Sequence, residues 1–344
     1  MNVASFYDAW NFIKTLTIHK IWNGFLLRMS YAVSKISGKN IHWGKPEFLS
    51  IEPVNLCNLK CPECPTGTNQ LTRSKDFISK ESFWGIIEQS ERHLSFLQLY
   101  FQGEPFMHPQ IYDFIKIAVQ NKIYTATSTN GHFLTTENCQ RIIDSGLHRI
   151  IISVDGTTQD TYSKYRVGGS LKTVIQGITN LTVCKKKQKS HHPFIIIQFV
   201  VFKTNEHQIE EVRKLAKKLN ADRLILKSAQ IEDYRNGNEI MTSIQKYNRY
   251  RRDKAGQYQL KRPPDFKCLR IWNGAVIASN QEVLPCCFDK DANYAYGTVQ
   301  LKSLNGLFNG TKATDLRKQV WGEPTTRPEI CANCTEGLRK SWYK

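Results

Sequence analysis

Three cysteines that follow an early strand-like run, Cys57, Cys61 and Cys64, limit how this chain can fold. They have the spacing C-x3-C-x2-C and come directly after the apolar run Phe48-Leu-Ser-Ile51, so we expect them in a loop at the carboxyl end of a strand. A cubane of four irons and four sulfides normally takes four thiolates, and three local thiols would leave one iron open to a small ligand. Structural zinc, which prefers four ligands from two C-x2-C-like pairs, and unrelated thiols stay as alternatives.

The bulk composition indicates a basic protein of one large or two moderate domains. The chain has 344 residues, ten cysteines and a formal net charge of +18. Its amino terminus lacks the basic region, apolar core and small-residue cleavage site of a secretory signal, so we expect reduced thiols and a cytoplasmic location. The positive charge favours anionic partners, including phosphorylated substrates, nucleic acid and acidic membrane surfaces, without choosing among them.

Residues 1–46 are predicted to form a basic amphipathic helical segment, in which apolar and aromatic side chains recur between lysines and an arginine. The longest run without charge or histidine is the seven residues from Ile21 to Leu27, which is too short to span a bilayer. Two interpretations stay open. The helix lies on a membrane surface as a peripheral contact, or it packs against the rest of the chain or a dimer mate.

From residue 47 to residue 235, extended apolar runs alternate with helix-length segments, which predicts an α/β fold with a parallel sheet. Six strand-helix repeats are fewer than the eight that close a standard barrel, so we expect a partial, TIM-like (β/α)6 barrel. The predicted strands are 48–54, 96–101, 124–129, 149–154, 194–202 and 223–227, and the predicted helices between them are 80–93, 110–121, 135–145, 171–187 and 206–219.

Polar motifs follow the predicted strands, and in parallel α/β folds the chemistry collects at the carboxyl ends of the strands. These motifs are Gln102-Gly-Glu-Pro105, Thr129-Asn-Gly131 and Ser153-Val-Asp-Gly156, with Arg166 and Asn205 farther along. Each has a plainer interpretation. The first two would be simple turns, and Asp155 and Asn205 would cap the helices that follow them.

A change of pattern predicts a basic linker over residues 236–265 and a small cysteine-rich domain over residues 266–344. The basic run from Lys246 to Arg262, with its interleaved tyrosines, fits a linker. A site for a phosphorylated substrate stays open as the alternative, and we expect a nucleic-acid site there less. Four thiols from the domain would complete a closed cluster site, with structural zinc as the alternative. Neighbours in a strand point to opposite sides, so only one member of the Cys286-Cys287 doublet should ligate. The five cysteines are Cys268, Cys286, Cys287, Cys331 and Cys334.

Taken together, these motifs resemble the radical S-adenosylmethionine (SAM) superfamily over roughly residues 48–340. The resemblance implies that Cys57, Cys61 and Cys64 hold a 4Fe-4S cluster whose open iron binds SAM, the source of a 5'-deoxyadenosyl radical. One departure is Glu63, where the family often has an aromatic residue near the adenine. The resemblance also implies SAM-binding roles for the strand-end residues: Gly103, Glu104 and Pro105 at the ammonium, Ser153 and Arg166 at the carboxylate, and Thr129, Asn130, Asp155 and Asn205 around the cofactor.

The carboxyl-terminal cysteines resemble the SPASM domain, in the minimal one-cluster form called twitch. This resemblance implies a second, auxiliary 4Fe-4S cluster held by Cys268, Cys286, Cys331 and Cys334. The runs Gly274-Ala-Val-Ile277 and Glu282-Val-Leu284 would supply its hairpin. Cys139 and Cys184 fall in helical patterns away from the strand ends, so we expect them to be buried small side chains.

The expected activity is that of a radical SAM oxidoreductase, which abstracts hydrogen from an unknown substrate of anionic or carbohydrate-like character. Resemblance to one-cluster alcohol dehydrogenases implies a two-electron oxidation, with the auxiliary cluster as electron acceptor and Asp289 as the candidate base. An external one-electron donor such as flavodoxin or ferredoxin would reduce the SAM cluster.

Two alternatives remain for the activity. The first is a SPASM-type maturase of a peptide or protein, which we expect less because residues 1–46 are too few and too helical for a leader-binding domain. The second is a non-catalytic basic metal-binding protein that recognises nucleic acid or a membrane, which would show steep salt dependence of binding.

Overall fold

The centre of the fold is a parallel sheet whose first six strands pair in the order in which they occur along the chain. The computed structural model describes residues 3–261, 268–322 and 324–334. Each of these strands runs parallel to the next, which confirms the predicted α/β fold. Helices follow the first five strands, but residues 229–249 after the sixth strand contain no helix, so the sixth repeat lacks its predicted helical half. The strands are β1 (Phe48–Ile51), β2 (Phe96–Gln98), β3 (Tyr124–Thr129), β4 (Arg149–Ser153), β5 (Phe194–Val201) and β6 (Arg223–Ser228).

Helices precede the sheet and connect its strands. Ser79, Thr135 and Ser170 each accept a backbone N–H at the start of a helix, as expected for residues that favour this position. One helix, Gln159–Tyr165, was not predicted, because its seven residues are too few to show a helical period. The helices are α1 (Val3–Lys14), α2 (Ile18–Ser37), α3 (Lys80–Ser90), α4 (Ile111–Gln120), α5 (Thr136–Asp144), α6 (Gln159–Tyr165), α7 (Leu171–Lys187) and α8 (Ile209–Lys218).

The first two helices contact the amino-terminal ends of the strands. The buried Asp8 carboxylate in α1 accepts hydrogen bonds from Tyr124 and Arg149, the first residues of β3 and β4. Lys20 in α2 donates to the carbonyl of Lys122 at 2.5 Å. The helical prediction for residues 1–46 holds for Val3–Lys14 and Ile18–Ser37, whereas residues 38–46 form no helix. None of the described helices combines the length and apolar character needed to cross a bilayer.

The carboxyl-terminal part extends the same sheet. The predicted hairpin is present, and its first strand pairs in parallel with β1, with Phe48 opposite Gly274. A Cβ on Gly274 would lie 2.7 Å from Cδ1 of Phe48, so this close approach requires glycine. The sheet has the order β11 (Gly297–Thr298), β10 (Glu282–Leu284), β9 (Gly274–Ile277), followed by β1 to β6. The elements are β7 (Tyr250–Arg252), β8 (Tyr258–Leu260), α9 (Arg270–Asn273), β9 (Gly274–Ile277), β10 (Glu282–Leu284), β11 (Gly297–Thr298), α10 (Leu304–Phe308) and α11 (Thr311–Trp321).

One hydrophobic core joins the two parts of the chain. It includes Leu49 of β1 and Ile150 of β4 together with Phe308 of α10 and Val320 of α11. Part of the expected linker forms the β7-β8 hairpin, which packs Tyr250 against Phe202 in a separate small cluster. The boundaries at residues 47, 236 and 266 stay predictions.

Candidate active site

The three cysteines of the first motif lie in the loop after β1, as expected. Cys61 is buried, and Cys57 and Cys64 are partly buried. Side chains from two other segments reach these thiols: Asn130 Nδ2, directly after β3, lies 3.8 Å from Cys57 Sγ, and Arg166 Nη1, directly after α6, lies 3.7 Å from Cys61 Sγ. Donors from the end of β3 and the end of α6 therefore contact the cysteine loop.

The loop after β2 packs directly on this cysteine loop because Gly103 lacks a side chain. A Cβ there would lie 2.3 Å from the carbonyl oxygen of Val54 and 2.8 Å from that of Leu56, and the φ angle of Gly103 is +75°. The next residue, Glu104, donates its backbone N–H to Leu56 at 2.8 Å. The predicted motif after β2 thus has a structural reason for its glycine.

The three thiols fit a cationic cluster. Burial raises the pKa of Cys57 to about 11 and also raises that of Cys61, so free thiolates are disfavoured here until a cation binds. Within the described ranges, no three His, Cys, Asp or Glu side chains close around a single metal ion. An iron-sulfur core is larger than one ion, and its ligands stand farther apart.

Glu104 connects the ends of β2 and β3. Its carboxylate is 2% exposed and accepts from Thr129 Oγ1 at 2.7 Å and from the Asn130 N–H at 2.7 Å. Burial raises its pKa to about 7, although these hydrogen bonds oppose the rise. Pro105 begins a short 3-10 turn directly after it. The structure thus brings Glu104, Thr129 and Asn130 together beside Cys57, and their roles toward SAM stay predictions.

Asp155 and Arg166 form a buried ion pair behind the cysteine loop. Arg166 Nε and Nη2 lie 2.7 and 2.6 Å from Asp155 Oδ2, and Asp155 Oδ1 accepts the Val200 N–H of β5. Burial alone would lower the pKa of Arg166, but the Asp155 charge raises it above its ordinary value. Ser153 ends β4 close by along the chain. The guanidinium is thereby fixed with one edge at Cys61.

The alternative that Asp155 caps the following helix is wrong, because Thr158 caps α6 through its hydroxyl. Asn205 does occupy the N-cap position of a short 3-10 turn (Glu206–Gln208), but its side chain makes no cap hydrogen bond there. Instead, Asn205 accepts the Phe202 N–H at 2.8 Å and donates to the carbonyls of Asp155 and Val200. It stabilises the ends of β4 and β5, and its contact with SAM stays a prediction.

The carboxyl-terminal cysteines converge on one cavity. It has an empty volume of about 430 Å³, part of it open to solvent, and is lined by Cys268, Cys286, Cys287, Cys331 and Cys334. Burial raises the pKa of Cys331 to about 11 and that of Cys286 well above its usual range, where nearby thiols add to the effect. Five soft sulfur donors around one cavity fit an auxiliary iron-sulfur cluster. Both members of the doublet line it, so the choice of Cys286 stays a prediction. Cys139 and Cys184 are buried in α5 and α7, as expected.

Asp289, the predicted base, is almost fully buried, with 1% of its surface exposed. Its two oxygens accept the backbone N–H groups of Asn293 and Tyr294 at 2.8 and 3.0 Å. In the structure it therefore shapes the turn after the Cys286-Cys287 doublet, and its role as a base stays a prediction.

A polar pocket beside the cysteine loop was missed by the sequence analysis. It has an empty volume of about 620 Å³, including open solvent, and lies at the carboxyl ends of β5 and β6. Arg249 Nη1 is buried and has no hydrogen-bond partner among the described residues. Arg249 belongs to the basic run from Lys246 to Arg262, for which a phosphorylated-substrate site was the second interpretation after a linker. The lining residues are Glu63, Tyr165, Val200, Phe202, Ser228, Gln230, Glu232, Arg249 and Lys290.

A second missed feature is the buried Glu52 directly after β1. Its carboxylate pairs with Arg73 through contacts of 2.8 and 3.0 Å, and it accepts the N–H and hydroxyl of Ser279 after β9. Arg73 also donates to the carbonyl of Lys290. The sequence did contain a signal for this site, because Glu52 is a carboxylate at the carboxyl end of a predicted apolar strand. Glu52 connects the cysteine loop to the carboxyl-terminal domain.

Comparison with known protein families gives two matches. The profile of the radical SAM superfamily matches residues 51–220, and that of an iron-sulfur cluster-binding domain, SPASM, matches residues 268–335. The first match contains the Cys57, Cys61 and Cys64 loop, and the second contains all five cysteines of the cavity. Together they include every thiol predicted as a cluster ligand.

The individual relatives are named for diverse functions. The chain is 24% identical over 327 residues to a tungsten-containing aldehyde ferredoxin oxidoreductase cofactor-modifying protein of Pyrococcus furiosus, covering 84% of this chain and 86% of that one. It is 23% identical to a PqqA peptide cyclase of Rhizobium meliloti, with 84% and 79% covered. SuiB of Streptococcus suis, solved with bound SAM, superimposes with a TM-score of 0.63 at 15% identity, with 88% and 80% covered. At this level of identity, the similarity between SuiB and this chain is a similarity of fold only.

Proposed function

Because this chain belongs to the radical SAM superfamily, in the branch with a SPASM/twitch cluster domain, we propose that it oxidises a small anionic or carbohydrate-like substrate by two electrons. Its cofactors are SAM, a SAM-binding 4Fe-4S cluster and an auxiliary iron-sulfur cluster in the second domain. When bound, the reduced SAM cluster supplies the electron that splits SAM and yields the 5'-deoxyadenosyl radical that takes hydrogen from the substrate.

The observation that carries the proposal is the three-thiol loop with a fixed guanidinium at its edge and a polar pocket beside it. Arg166 is held by Asp155 and lies 3.7 Å from Cys61 Sγ. A rigid, permanently charged fork suits the carboxylate of SAM, and Ser153 would add a hydroxyl donor. Glu104 would receive the SAM ammonium, together with the backbone beside Gly103 and Pro105.

The substrate would bind in the polar pocket. Arg249 offers a buried donor without a hydrogen-bond partner among the described residues, whereas Lys290 already lies 3.7 Å from the exposed carboxylate of Glu232. The carboxylates of Glu63 and Glu232 also line the pocket, so the proposal of an anionic group on the substrate, such as a phosphate or carboxylate, rests on the unsatisfied Arg249 guanidinium. Asp289, adjacent to Lys290 in the chain, is the proposed base for an alcohol proton.

Anaerobic reconstitution tests the proposal. We expect about eight irons per chain, four for each cluster, and release of 5'-deoxyadenosine after reduction with SAM. Cys57→Ala should remove about half of the iron and abolish the nucleoside product. Cys184→Ala, which alters a buried thiol in α7, is the matched control and should retain both. Full occupancy by zinc, without the nucleoside, would contradict the proposal.

A peptide or protein substrate is the second candidate, because the Rhizobium meliloti relative is named a peptide cyclase. The same assay separates the two candidates if sugar phosphates, sugar acids and peptides are each added to the reduced enzyme. A substrate that accepts radical chemistry should raise 5'-deoxyadenosine release above the level with SAM alone. Stimulation by peptides only would favour the maturase.

For its partners, we propose an external one-electron donor such as flavodoxin or ferredoxin, because a SAM cluster must be reduced before each turnover. The basic surface of the protein would attract such acidic carriers. We also propose that the enzyme works in the cytoplasm and that any contact with a membrane is peripheral and involves residues 1–46.

A further inference from the structure

Helix α2 presents its apolar side to solvent. Six large side chains on it are between 40% and 88% exposed, and they recur at intervals of three, four and seven residues. At 3.6 residues per turn, these positions fall on one face of the helix. An ordinary surface helix buries its apolar face against the protein, whereas α2 exposes its apolar face to solvent. The six residues are Ile18, Ile21, Trp22, Phe25, Met29 and Ile36.

The opposite side of α2, which packs on the protein, is largely polar. Its buried residues are Lys20, Asn23, Gly24, Leu27, Ser30 and Ser34. Asn23 exchanges two hydrogen bonds with the Lys45 backbone, Ser30 accepts from Trp272 Nε1, and Ser34 donates to the Ile41 carbonyl. These bonds fix the rotation of the helix, so it cannot turn its apolar side inward without leaving buried polar groups unpaired.

Helix α1 adds three exposed side chains at positions i, i+4 and i+7: Phe6, Trp10 and Ile13, each between 44% and 53% exposed. With the six of α2 they form what we call the α1–α2 face: Phe6, Trp10, Ile13, Ile18, Ile21, Trp22, Phe25, Met29 and Ile36. The two tryptophans and two phenylalanines in this set are residues that favour the boundary between lipid headgroups and acyl chains.

The positive charge of the same segment favours one kind of binding partner for this face over another. Residues 1–46 contain six lysines and arginines against the single acid Asp8. Lys20 and Asp8 are buried, which leaves five exposed cations, of which Arg28 pairs with Glu47. A second copy of the chain would bring like charges together, whereas anionic lipid complements them.

We propose that the α1–α2 face lies in the interface of an anionic membrane and holds the protein there peripherally. Since α1 and α2 contact the amino-terminal ends of β3 and β4, the cysteine loop after β1 lies at the opposite end of the strands. The mouth of the barrel then faces away from the lipid and stays open to a water-soluble substrate and an electron donor. The inference deepens the peripheral contact proposed above and does not depend on SAM chemistry.

Sedimentation of the reconstituted full-length protein with vesicles tests the inference. We expect binding to phosphatidylcholine vesicles that contain about one third phosphatidylglycerol, weaker binding to pure phosphatidylcholine, and release by salt. The double variant Trp22→Ser, Phe25→Ser should reduce binding by about tenfold or more, because it removes two large exposed apolar side chains from the face.

The matched control is Trp84→Ser, Leu301→Ser, which removes an exposed tryptophan of α3 and an exposed leucine far along the chain from α2. It should bind vesicles as the parent does, and SAM cleavage should be equal in all three proteins. If the parent binds vesicles but does not cleave SAM, the result contradicts the proposed chemistry and leaves the lipid assignment supported. Equal sedimentation of both variants would overturn the lipid assignment. Concentration-dependent dimers abolished by Trp22→Ser, Phe25→Ser, without vesicle binding, would assign the face to a second copy instead.

Discussion

Two arginines beside the cysteine loop differ in how their guanidinium groups are used. Arg166 is engaged with Asp155 and Cys61, whereas Arg249 has one buried nitrogen without a hydrogen-bond partner among the described residues. A buried donor left unpaired costs about 1–3 kcal/mol. A ligand that satisfies Arg249 recovers this cost, so the residue marks where an acceptor on a substrate would gain most.

We therefore expect Arg249→Met to weaken substrate use specifically. The variant should raise the KM for an anionic substrate by about tenfold or more, because a charge-assisted hydrogen bond is lost from a partly buried site. The measurement is the concentration of substrate that half-maximally stimulates 5'-deoxyadenosine release. Arg251→Met, at an exposed position in β7, is the matched control and should leave the KM unchanged. An equal KM in all three proteins would place the substrate elsewhere.

At the scale of elements, the two cluster sites belong to one sheet. The β9 strand pairs with β1, so the strand before the cysteine loop is also the edge on which the second domain is built. Glu52 secures this junction because its carboxylate contacts Arg73, the Gln102 N–H and Ser279. With side-chain exposures of 0% and 3%, Glu52 and Arg73 form an ion pair that is shielded from water.

Glu52→Gln should lower the free energy of unfolding by about 3–5 kcal/mol, since it leaves the Arg73 charge buried without its partner. Urea unfolding of the reconstituted protein measures this loss. Asp113→Asn breaks the exposed pair with Lys80, whose side chains are 45% and 47% exposed, and should cost less than about 1 kcal/mol. If the two variants lose the same stability, the junction does not depend on this ion pair.

At the scale of the whole molecule, one buried and two partly buried histidines, in the segments before β1, β2 and β4, make stability depend on pH. Burial lowers the pKa of His42, His93 and His148 to about 4, and nearby cations contribute to each shift. The unfolded chain has ordinary histidines with a pKa near 6.5. As the pH falls from about 6.5 to about 4, the unfolded state binds protons first, so stability that is complete above this range is lost within it.

The replacement His148→Asn should make this pH dependence shallower, because asparagine supplies an acceptor for the Thr125 N–H without gaining a proton. The measurement is the urea midpoint at several values between about pH 7 and pH 5, compared with the parent at the same cluster content. His207→Asn, on the surface, is the control and should follow the parent profile. A parallel profile for His148→Asn would show that this ring does not titrate on unfolding.

Much of the site could be predicted from local patterns. The spacing of Cys57, Cys61 and Cys64 and the strand-helix alternation are short-range signals, and the matched families agree with both. The strand limits were predicted less well: β2 ends at Gln98, three residues before the predicted end. The apolar pattern continues after Gln98, but the hydrogen-bonded pairing with the neighbouring strands stops there. Since pairing defines the end of a strand, the pattern alone predicts a strand that is too long.

The spacing of the predicted cluster cysteines, the fold class and the helical character of most of the first segment are local properties, which is why the sequence alone was sufficient to predict them. The contact of Arg166 with Cys61, the attachment of β9 to β1 and the unpaired nitrogen of Arg249 join residues far apart along the chain, so folding had to bring them together. The apolar stripe of α2 was also visible as a pattern. Which of its sides faces water depends on the hydrogen bonds of Asn23, Ser30 and Ser34 with distant segments, and amphipathic spacing alone would have predicted the opposite side.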